Sequence, residues 1–460
     1  HLRPLEKKYM DLPVKRKMLM NDFRGKKKRF LAIIYMILTF FMLYLNQDGF
    51  FLGGFGIVYA YLIGLLLIGL AILSFLVRPQ LDRGIFMIQQ VYILCLPYLL
   101  TVLYSFFVWA IKFSGFTSIT RGFFYVFYQL IAFAAAGASF YLLGKNAIWY
   151  FWAMLMGVNL FRTVMVIVYD GIGNLWSDFV TLLTSFGTQT GDTIAKLELH
   201  DGNFAVFCFL IFIFAYFNKI SHKWIVMSIN LILALLGFKR IAVVGVLLAW
   251  VILLLAKLIK KEYTKTFLYG CAVLLCVLAV VYLVIVRTRL LETLLSEANI
   301  DSLGRTDLYQ YIEQFYDFGP TYIGNGLGYV SRLLANLSDS VLAAWSESGF
   351  IAGELHNDFL RILIDIGVPG FAIWHCSFVL VRLRLMLKNT PKTGIMLIAG
   401  IAYLFITYMT DNTYYYYQTN FVFALIVLYT SVDDFEKKTQ KVSAADHSIG
   451  NLEITTGIGL

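Results

Sequence analysis

The sequence has little charge and few cysteines. Charged residues make up 14% of the 460 residues, whereas soluble domains contain about 25%. The five cysteines all fall inside long apolar runs, so we predict neither a disulfide framework nor a zinc site. They are Cys95, Cys208, Cys271, Cys276 and Cys376. The scarcity of charge excludes an ordinary soluble fold.

Apolar residues, at 60%, occur in blocks of about 20, the length that spans the hydrocarbon core of a bilayer. The sequence therefore predicts an all-α polytopic membrane protein with about 12 transmembrane helices. The predicted spans are 30–46, 50–77, 85–111, 122–144, 148–169, 203–217, 223–238, 240–257, 266–286, 359–387, 393–410 and 419–431.

The formal charge of +10 is concentrated where it predicts orientation, and we expect no nucleic-acid partner. Residues 1–29 hold eleven Lys and Arg, and a basic segment before a first span favours the cytoplasm. The basic clusters after every second span then fall on the same side, including Lys260 with Lys261 and Arg382 with Arg384. Both termini are therefore predicted to be cytoplasmic, the second as a disordered tail over 432–460.

Two extracytoplasmic segments are long: residues 170–202, within the first nine spans (30–286), and residues 287–358, between spans nine and ten. Long loops in a compact chain are usually functional. In the larger loop, Leu308, Tyr309 and Ile312 share one helical face, which predicts an amphipathic helix at the membrane surface. The sequence "GNGLGY" then predicts a turn where backbone comes close to another group. Spans ten to twelve follow at 359–431.

The stretch "ELHNDFLRILIDIGVPGF" brings polar residues to the start of span ten. Asn357 or Asp358 is placed to cap the helix, and Asp358, Arg361 and Asp365 share one face. Polar side chains in membrane helices normally face the bundle interior, so we expect this face to point inward. Gly367 and the residues after it predict a kink that could open a cavity.

Other polar residues are predicted near the same extracytoplasmic level. They are Arg162 in span five, Lys239 and Arg240 at the turn before span eight, Arg305 in the large loop, and Glu198 with His200 at the end of 170–202. Each also has a structural explanation, because Arg162 could pair with an aspartate and Lys239 could simply end a span.

Histidine and outward-facing arginines suggest a particular chemistry. Guanidinium groups bind phosphate in a bidentate manner and keep their charge. Histidine titrates near neutrality and can accept a proton from a hydroxyl. A histidine together with outward-facing arginines therefore fits transfer from a diphosphate-activated lipid to an alcohol, with the histidine taking the proton of the incoming sugar hydroxyl. The large loops carry no Asp-x-Asp pair of the kind that binds metal in many nucleotide-sugar enzymes.

Three segments resemble the O-antigen ligase and O-antigen polymerase family. "HNDFLRILIDIGVPGF" resembles its His-Asn-x-x-Leu…Gly-x-x-Gly segment, and "GFKRIAVVGVLL" resembles its short Ser-Arg-type turn. "LGRTDLYQYIEQFYDFGPTYIGNGLG" resembles its Gly-Arg…Leu…Pro…Gly-x-Gly segment. The resemblance covers roughly residues 237–371 and implies catalytic roles for His356, Arg240 and Arg305. The chain departs from the pattern at this turn, where it has Gly-Phe-Lys-Arg in place of a version with smaller residues.

What the resemblance implies is a metal-independent glycosyltransferase of the bacterial cytoplasmic membrane, without a cofactor, acting on its extracytoplasmic face. It would polymerise undecaprenyl-diphosphate-linked repeat units into a capsule, exopolysaccharide or O-antigen. A chain-length regulator and a flippase of the same pathway would be its partners. Arg162, Lys239, Asn357, Glu198 and His200 are the candidate substrate-binding residues.

Three other functions fit parts of the sequence. A ligase would pass the finished glycan to another acceptor. A polysaccharide flippase or secondary transporter should show related halves and polar residues through its whole depth, whereas the polar residues here gather at one level. A peptidoglycan polymerase of the shape-and-division type is chemically close but relies on a loop aspartate instead of a His-Asn segment.

Overall fold

A computed structural model gives the fold of the chain. It describes residues 29–44, 56–113, 115–174, 176–177, 180, 223–236, 240–297, 305–336, 355–388, 390–410 and 412–456. Within these ranges the side chains of 56–60, 162, 166, 170, 223, 231–240, 242, 295–296, 305–307 and 440–456 are left undescribed. The described residues form helices and turns and contain no strand.

The helices in chain order are α1 (Arg29–Tyr44), α2 (Gly56–Val77), α3 (Leu81–Ile111), α4 (Phe116–Leu143), α5 (Ala147–Asp170), α6 (Lys223–Leu236), α7 (Arg240–Leu258), α8 (Thr264–Arg287), α9 (Leu290–Glu297), α10 (Arg305–Ile312), α11 (Tyr329–Ala335), α12 (Asp358–Cys376), α13 (Arg382–Met386), α14 (Pro391–Thr410) and α15 (Tyr417–Thr456). A five-residue π-helix, Ser377–Val381, joins α12 to α13.

Five helical segments among the described residues are long and apolar enough to cross a membrane. They are Leu81–Ile111, Phe116–Tyr169, Lys261–Arg287, Asp358–Met386 and Pro391–Thr410. The prediction of an all-α membrane protein is therefore confirmed. The count of twelve spans stays a prediction, and the span predicted at 203–217 lies outside the described residues.

Helix α14 lies at the centre of the bundle. In its most apolar stretch 83% of the residues are buried, against 33% for the segment containing α8. It packs against α7, α8 and α15, while α4 packs against α2, α3 and α15. Apolar side chains of α8 such as Val273 and Val277 are exposed on the surface of the bundle. This is expected where apolar residues face lipid instead of water.

The relative direction of three helices follows from their contacts. Helix α8 runs parallel to α14, because Leu268 contacts Gly394 and Tyr282 donates a hydrogen bond to the carbonyl of Met409. Since only five residues separate α7 from α8, α7 ends near the start of α14 and runs antiparallel to it. Helix α7 therefore begins, with Arg240, at the end of the bundle where α14 stops.

Helix α15 continues to Thr456 and so extends over most of the tail predicted to be disordered at 432–460. Its first tail residues have partners in the bundle. Phe435 stacks on Phe86 with ring centroids 4.5 Å apart, and Glu436 pairs with Arg83 at 3.6 Å. These contacts stabilise the helix beyond residue 431, where the predicted span ends.

Two further expectations are corrected by burial. The apolar face of α10 is packed in the protein core instead of lying on a membrane surface, since Leu308 and Ile312 are fully buried. Arg382, expected in a cytoplasmic loop, is also fully buried. It donates to the carbonyl of Leu94 and lies 4.6 Å from the ring centroid of Phe378, so aromatic rings replace water around it.

Candidate functional site

His356 is held at several points just before α12. Its backbone N–H donates to Oδ1 of Asn412 at 3.0 Å, and its ring Nδ1 lies 3.2 Å from Nδ2 of the same side chain. Its carbonyl accepts from the hydroxyl of Tyr309 at 3.4 Å. The backbone has a φ of +50°, a left-handed conformation that costs about 1–3 kcal/mol outside glycine. These contacts offset that cost and fix the imidazole.

Of the two residues predicted as caps, Asn357 is the one that caps α12. Its Oδ1 accepts from the backbone N–H of Leu360 at 3.0 Å. Its Nδ2 donates to the hydroxyl of Tyr282 at 2.9 Å, and the side chain is fully buried. The described contacts of Asn357 therefore anchor the first turn of α12 to α8. They place the residue beneath His356, where it supports the site without reaching its surface.

The next residue ties α12 to the connection between α14 and α15. One carboxylate oxygen of Asp358 accepts from the backbone N–H of Tyr414 at 2.7 Å. Asn412, which holds His356, belongs to the same connection. The start of α12 is thus attached to residues 412–414 by both side chains and backbone, which makes this part of the site rigid.

Asp365 holds the Gly-rich turn of the large loop. Its carboxylate oxygens accept from the backbone N–H groups of Gly328 and Val330, each at 3.0 Å. Its carbonyl accepts from the N–H groups of Asn325 at 2.9 Å and Gly326 at 2.6 Å. The prediction that the polar face of α12 points inward is confirmed here, since Asp365 is fully buried.

The predicted kink in α12 occurs at Gly367, whose φ of 65° and ψ of −176° break the helix. Among the described residues, the Gly-rich turn packs into this kink. The carbonyl of Tyr322 accepts from the N–H of Val368 at 2.9 Å, and the backbones of Gly324 and Gly367 are in direct contact. Both positions are glycine because a Cβ on either residue would overlap the backbone of the other segment.

Tyr322 adds side-chain bonds to this junction. Its hydroxyl donates to the carbonyl of Ile364 at 2.9 Å and lies 3.2 Å from Nδ2 of Asn325. Burial, followed by the nearby Asp365 charge, raises the pKa of Tyr322 above its ordinary value. The phenol therefore keeps its proton and remains a donor.

The third polar residue of the face, Arg361, is enclosed by protein. It donates to Oγ of Ser331, and its guanidinium carbon lies 4.1 Å from the ring centroid of Tyr415. The ring of Tyr125 is 5.2 Å away. Arg361 thus joins α11, α4 and residue 415 around α12. Together with Asp365 it connects the large loop to the bundle.

The backbones of the two predicted catalytic arginines start α10 and α7, although their side chains lie outside what the structure describes. Arg305 begins α10, one turn before Tyr309, whose hydroxyl reaches the His356 carbonyl. Arg240 begins α7, five residues before Gly245, which contacts Tyr403 of α14. Five helical residues rise about 7.5 Å, so Arg240 starts near the level of the last turns of α14.

The other predicted binding residues are placed less fully. Arg162 lies in α5, next to Phe161, which packs on Tyr44 of α1. Lys239, Glu198 and His200 lie outside the described residues. The structure therefore describes the contacts of His356 and its neighbour Asn357 and leaves the convergence of the remaining predicted residues untested.

Several residues of this site were missed in the sequence. Lys112 lies 3.4 Å from the carbonyl of Gly324, and Arg121 donates to the carbonyl of Ser331 at 2.7 Å. The topology prediction puts both on the extracytoplasmic side, where positive residues are not favoured. The same signal that drew attention to Arg240 could have found them. Asn412 carries no comparable signal, because it is 56 residues from His356.

The structure thus defines a helical membrane protein with an imidazole fixed at one end of its bundle. Comparison with known families adds an assignment. Residues 225–375 match a family described as O-antigen ligase, and this segment is about a third of the chain. The resemblance to the O-antigen ligase and polymerase family is therefore confirmed, and the match contains Arg240, Arg305 and His356. No curated protein matches the chain.

The match has consequences for the function. It indicates a membrane enzyme of the ligase or polymerase type, with glycosyltransferase-like activity on lipid-linked glycans. The described site is compatible with such an enzyme, because it combines a fixed imidazole with nearby helix starts that begin at arginines.

Proposed function

We propose that the protein is a membrane glycosyltransferase that polymerises undecaprenyl-diphosphate-linked repeat units into a surface polysaccharide. The observation that carries this proposal is the fixed position of His356 within the segment matching the O-antigen ligase family. The proposed donor is the lipid-diphosphate-linked chain, and the proposed acceptor is a sugar hydroxyl of the next lipid-linked unit. We place the reaction at the extracytoplasmic end of the bundle.

In the proposed reaction the bond between the anomeric carbon and the diphosphate oxygen breaks, and its electron pair stays on that oxygen. The acceptor oxygen forms the new bond at the opposite face, so the configuration inverts. Arg240 and Arg305 hold the diphosphate and stabilise the charge that develops on it. His356 acts at the reacting centre, and no metal ion takes part.

The starting points of α7 and α10 support the roles of the two arginines. Both helices begin at the end of the bundle where His356 is held, and Tyr309 of α10 contacts the His356 backbone. Lys239 and Arg162 are proposed to add positive charge for the diphosphate. Glu198 and His200 are proposed to contact the glycan from the 170–202 segment, while Asn357 supports His356 from below.

Purified protein in lipid nanodiscs with a defined undecaprenyl-diphosphate-linked repeat unit tests the proposal. A polymerase should yield a ladder of longer lipid-linked glycans and release undecaprenyl diphosphate. Transfer only to an added non-identical acceptor would establish the ligase alternative instead. Movement of the lipid-linked unit between leaflets without any new glycosidic bond would establish a flippase, which the buried charge of Arg382 favours.

A further inference from the structure

The hydrogen bonds of Asn412 determine which ring nitrogen of His356 carries the proton. The backbone N–H of His356 donates to the carboxamide oxygen of Asn412 at 3.0 Å. An amide nitrogen in that position would set one donor against another, so the orientation of the Asn412 carboxamide is fixed. Its NH₂ group must therefore face the imidazole.

The NH₂ group of Asn412 can only donate. The ring atom it meets, Nδ1 at 3.2 Å, must then present a lone pair. A neutral imidazole has one N–H and one lone pair, so the proton of His356 resides on Nε2. Protonation of Nδ1 would place an N–H against the amide N–H, with no acceptor between them.

A histidine that takes a proton at Nε2 needs the reverse arrangement, with Nδ1–H donating to an acceptor such as a carboxylate or a carbonyl. Residue 412 supplies a donor where such a base would need an acceptor. The prediction from the sequence, that His356 removes the proton of the acceptor hydroxyl, therefore disagrees with the contacts around its ring.

We infer that His356 acts through its Nε2–H as a neutral hydrogen-bond donor to the diphosphate, and that Asn412 is the positioning residue that enforces this tautomer. The inference rests on the proposed glycosyl transfer. The departing diphosphate oxygen receives the electron pair of the broken bond and accepts a hydrogen bond from Nε2–H. The proton of the acceptor hydroxyl is released to water on the opposite face of the sugar ring, so His356 keeps its Nε2 proton throughout the reaction.

The left-handed backbone at His356 agrees with this role. With a φ of +50° and with its N–H and carbonyl both bonded, the residue cannot turn without losing several contacts. A donor that must meet a developing negative charge benefits from being fixed before the reaction, because no reorganisation is then needed.

The tautomer can be measured without turnover. We would label the six histidines with ¹⁵N, place the protein in lipid nanodiscs, and assign the His356 signals by their loss in His356→Gln. The inference predicts a protonated Nε2 and an unprotonated Nδ1 in the wild-type protein. A protonated Nδ1, in either the neutral or the cationic ring, would overturn it.

Asn412→Asp supplies the second test. A carboxylate keeps an acceptor for the His356 backbone and offers another to Nδ1, so the ring should switch to the Nδ1–H tautomer. If Nε2–H is the working group, the transfer rate should fall at least tenfold. An unchanged or faster rate with the switched tautomer would show that His356 works as a base and would overturn the inference.

Asn336→Asp is the matched control, because it adds the same charge at an exposed position after α11, and its rate should equal that of the wild type. The ¹⁵N spectrum and the transfer assay test the inference and the proposed function separately. Absence of glycan transfer by the wild-type protein would refute the function, whereas the ¹⁵N spectrum tests the tautomer in either case.

Discussion

Asn412 contacts His356 twice, through the backbone N–H at 3.0 Å and through the ring Nδ1 at 3.2 Å. The two residues lie 56 positions apart, His356 just before α12 and Asn412 in the connection after α14. One side chain therefore sets both the backbone position and the ring orientation of the candidate catalytic residue. The conformation of the connection after α14 matters as much to the site as the His-Asn segment itself.

The first prediction concerns the anchor of the Gly-rich turn. Asp365→Ala removes the acceptors of two backbone N–H groups and leaves them buried, which should cost about 2–4 kcal/mol. We expect a clear fall in the midpoint of thermal unfolding in detergent. Asp317→Ala, at an exposed carboxylate, is the control and should change the midpoint little. An unchanged midpoint for Asp365→Ala would mean that the turn is held by other contacts.

The second prediction concerns the close approach of the turn to α12. Gly324→Ala places a methyl group against the backbone of Gly367 at a φ of +85°. Overlap and left-handed strain together should destabilise the protein by about 2–5 kcal/mol. Gly69→Ala, where no atom lies within 4 Å of the new methyl, should be neutral or slightly stabilising. Equal unfolding midpoints for the two variants would contradict the described junction.

The sequence predicted much of this junction but not how its parts meet. The cap at Asn357, the buried face with Asp365 and the kink at Gly367 were predicted, because capping, helical spacing and glycine act within a few residues. That the turn at 324–329 fills the kink was not predicted. Such a contact joins segments about 40 residues apart and depends on the packing of both.

The environment of His356 was equally beyond prediction from the sequence. Asn412 and Tyr309 reach it from separate segments, and neither has a local pattern that points to histidine. The helical tail was missed for a related reason, since Phe435 is stabilised by Phe86 of a distant helix. Long-range partners decide these features, whereas periodicity reports only the local element.

The third prediction tests the proposed diphosphate clamp. Arg240→Lys and Arg305→Lys keep the charge but lose the bidentate fork. Loss of one charged hydrogen bond costs about 1.5–3 kcal/mol, so we expect a ten- to hundredfold lower transfer rate for each variant. Arg289→Lys is the matched control, because Arg289 is exposed and pairs with Glu313 at 3.0 Å. Wild-type rates with lysine at 240 and 305 would argue against the clamp.

The fourth prediction tests the side of the membrane. In a variant without native cysteines, Asn336→Cys should react with a membrane-impermeant thiol reagent applied to intact cells, because residue 336 is exposed and predicted to be extracytoplasmic. Lys261→Cys, exposed at the turn before α8, should react only after permeabilisation. The opposite pattern would reverse the predicted topology.

The most direct test of the account is glycan transfer by the His356→Ala protein from a defined lipid-diphosphate-linked repeat unit. The fifth prediction is that this variant inserts and unfolds like the wild type but produces glycosidic bonds at least a hundredfold more slowly, since its imidazole is lost from the reacting centre. Binding of the lipid-linked unit should persist through the arginines. Wild-type transfer by His356→Ala would contradict a catalytic role for this residue and the proposed mechanism with it.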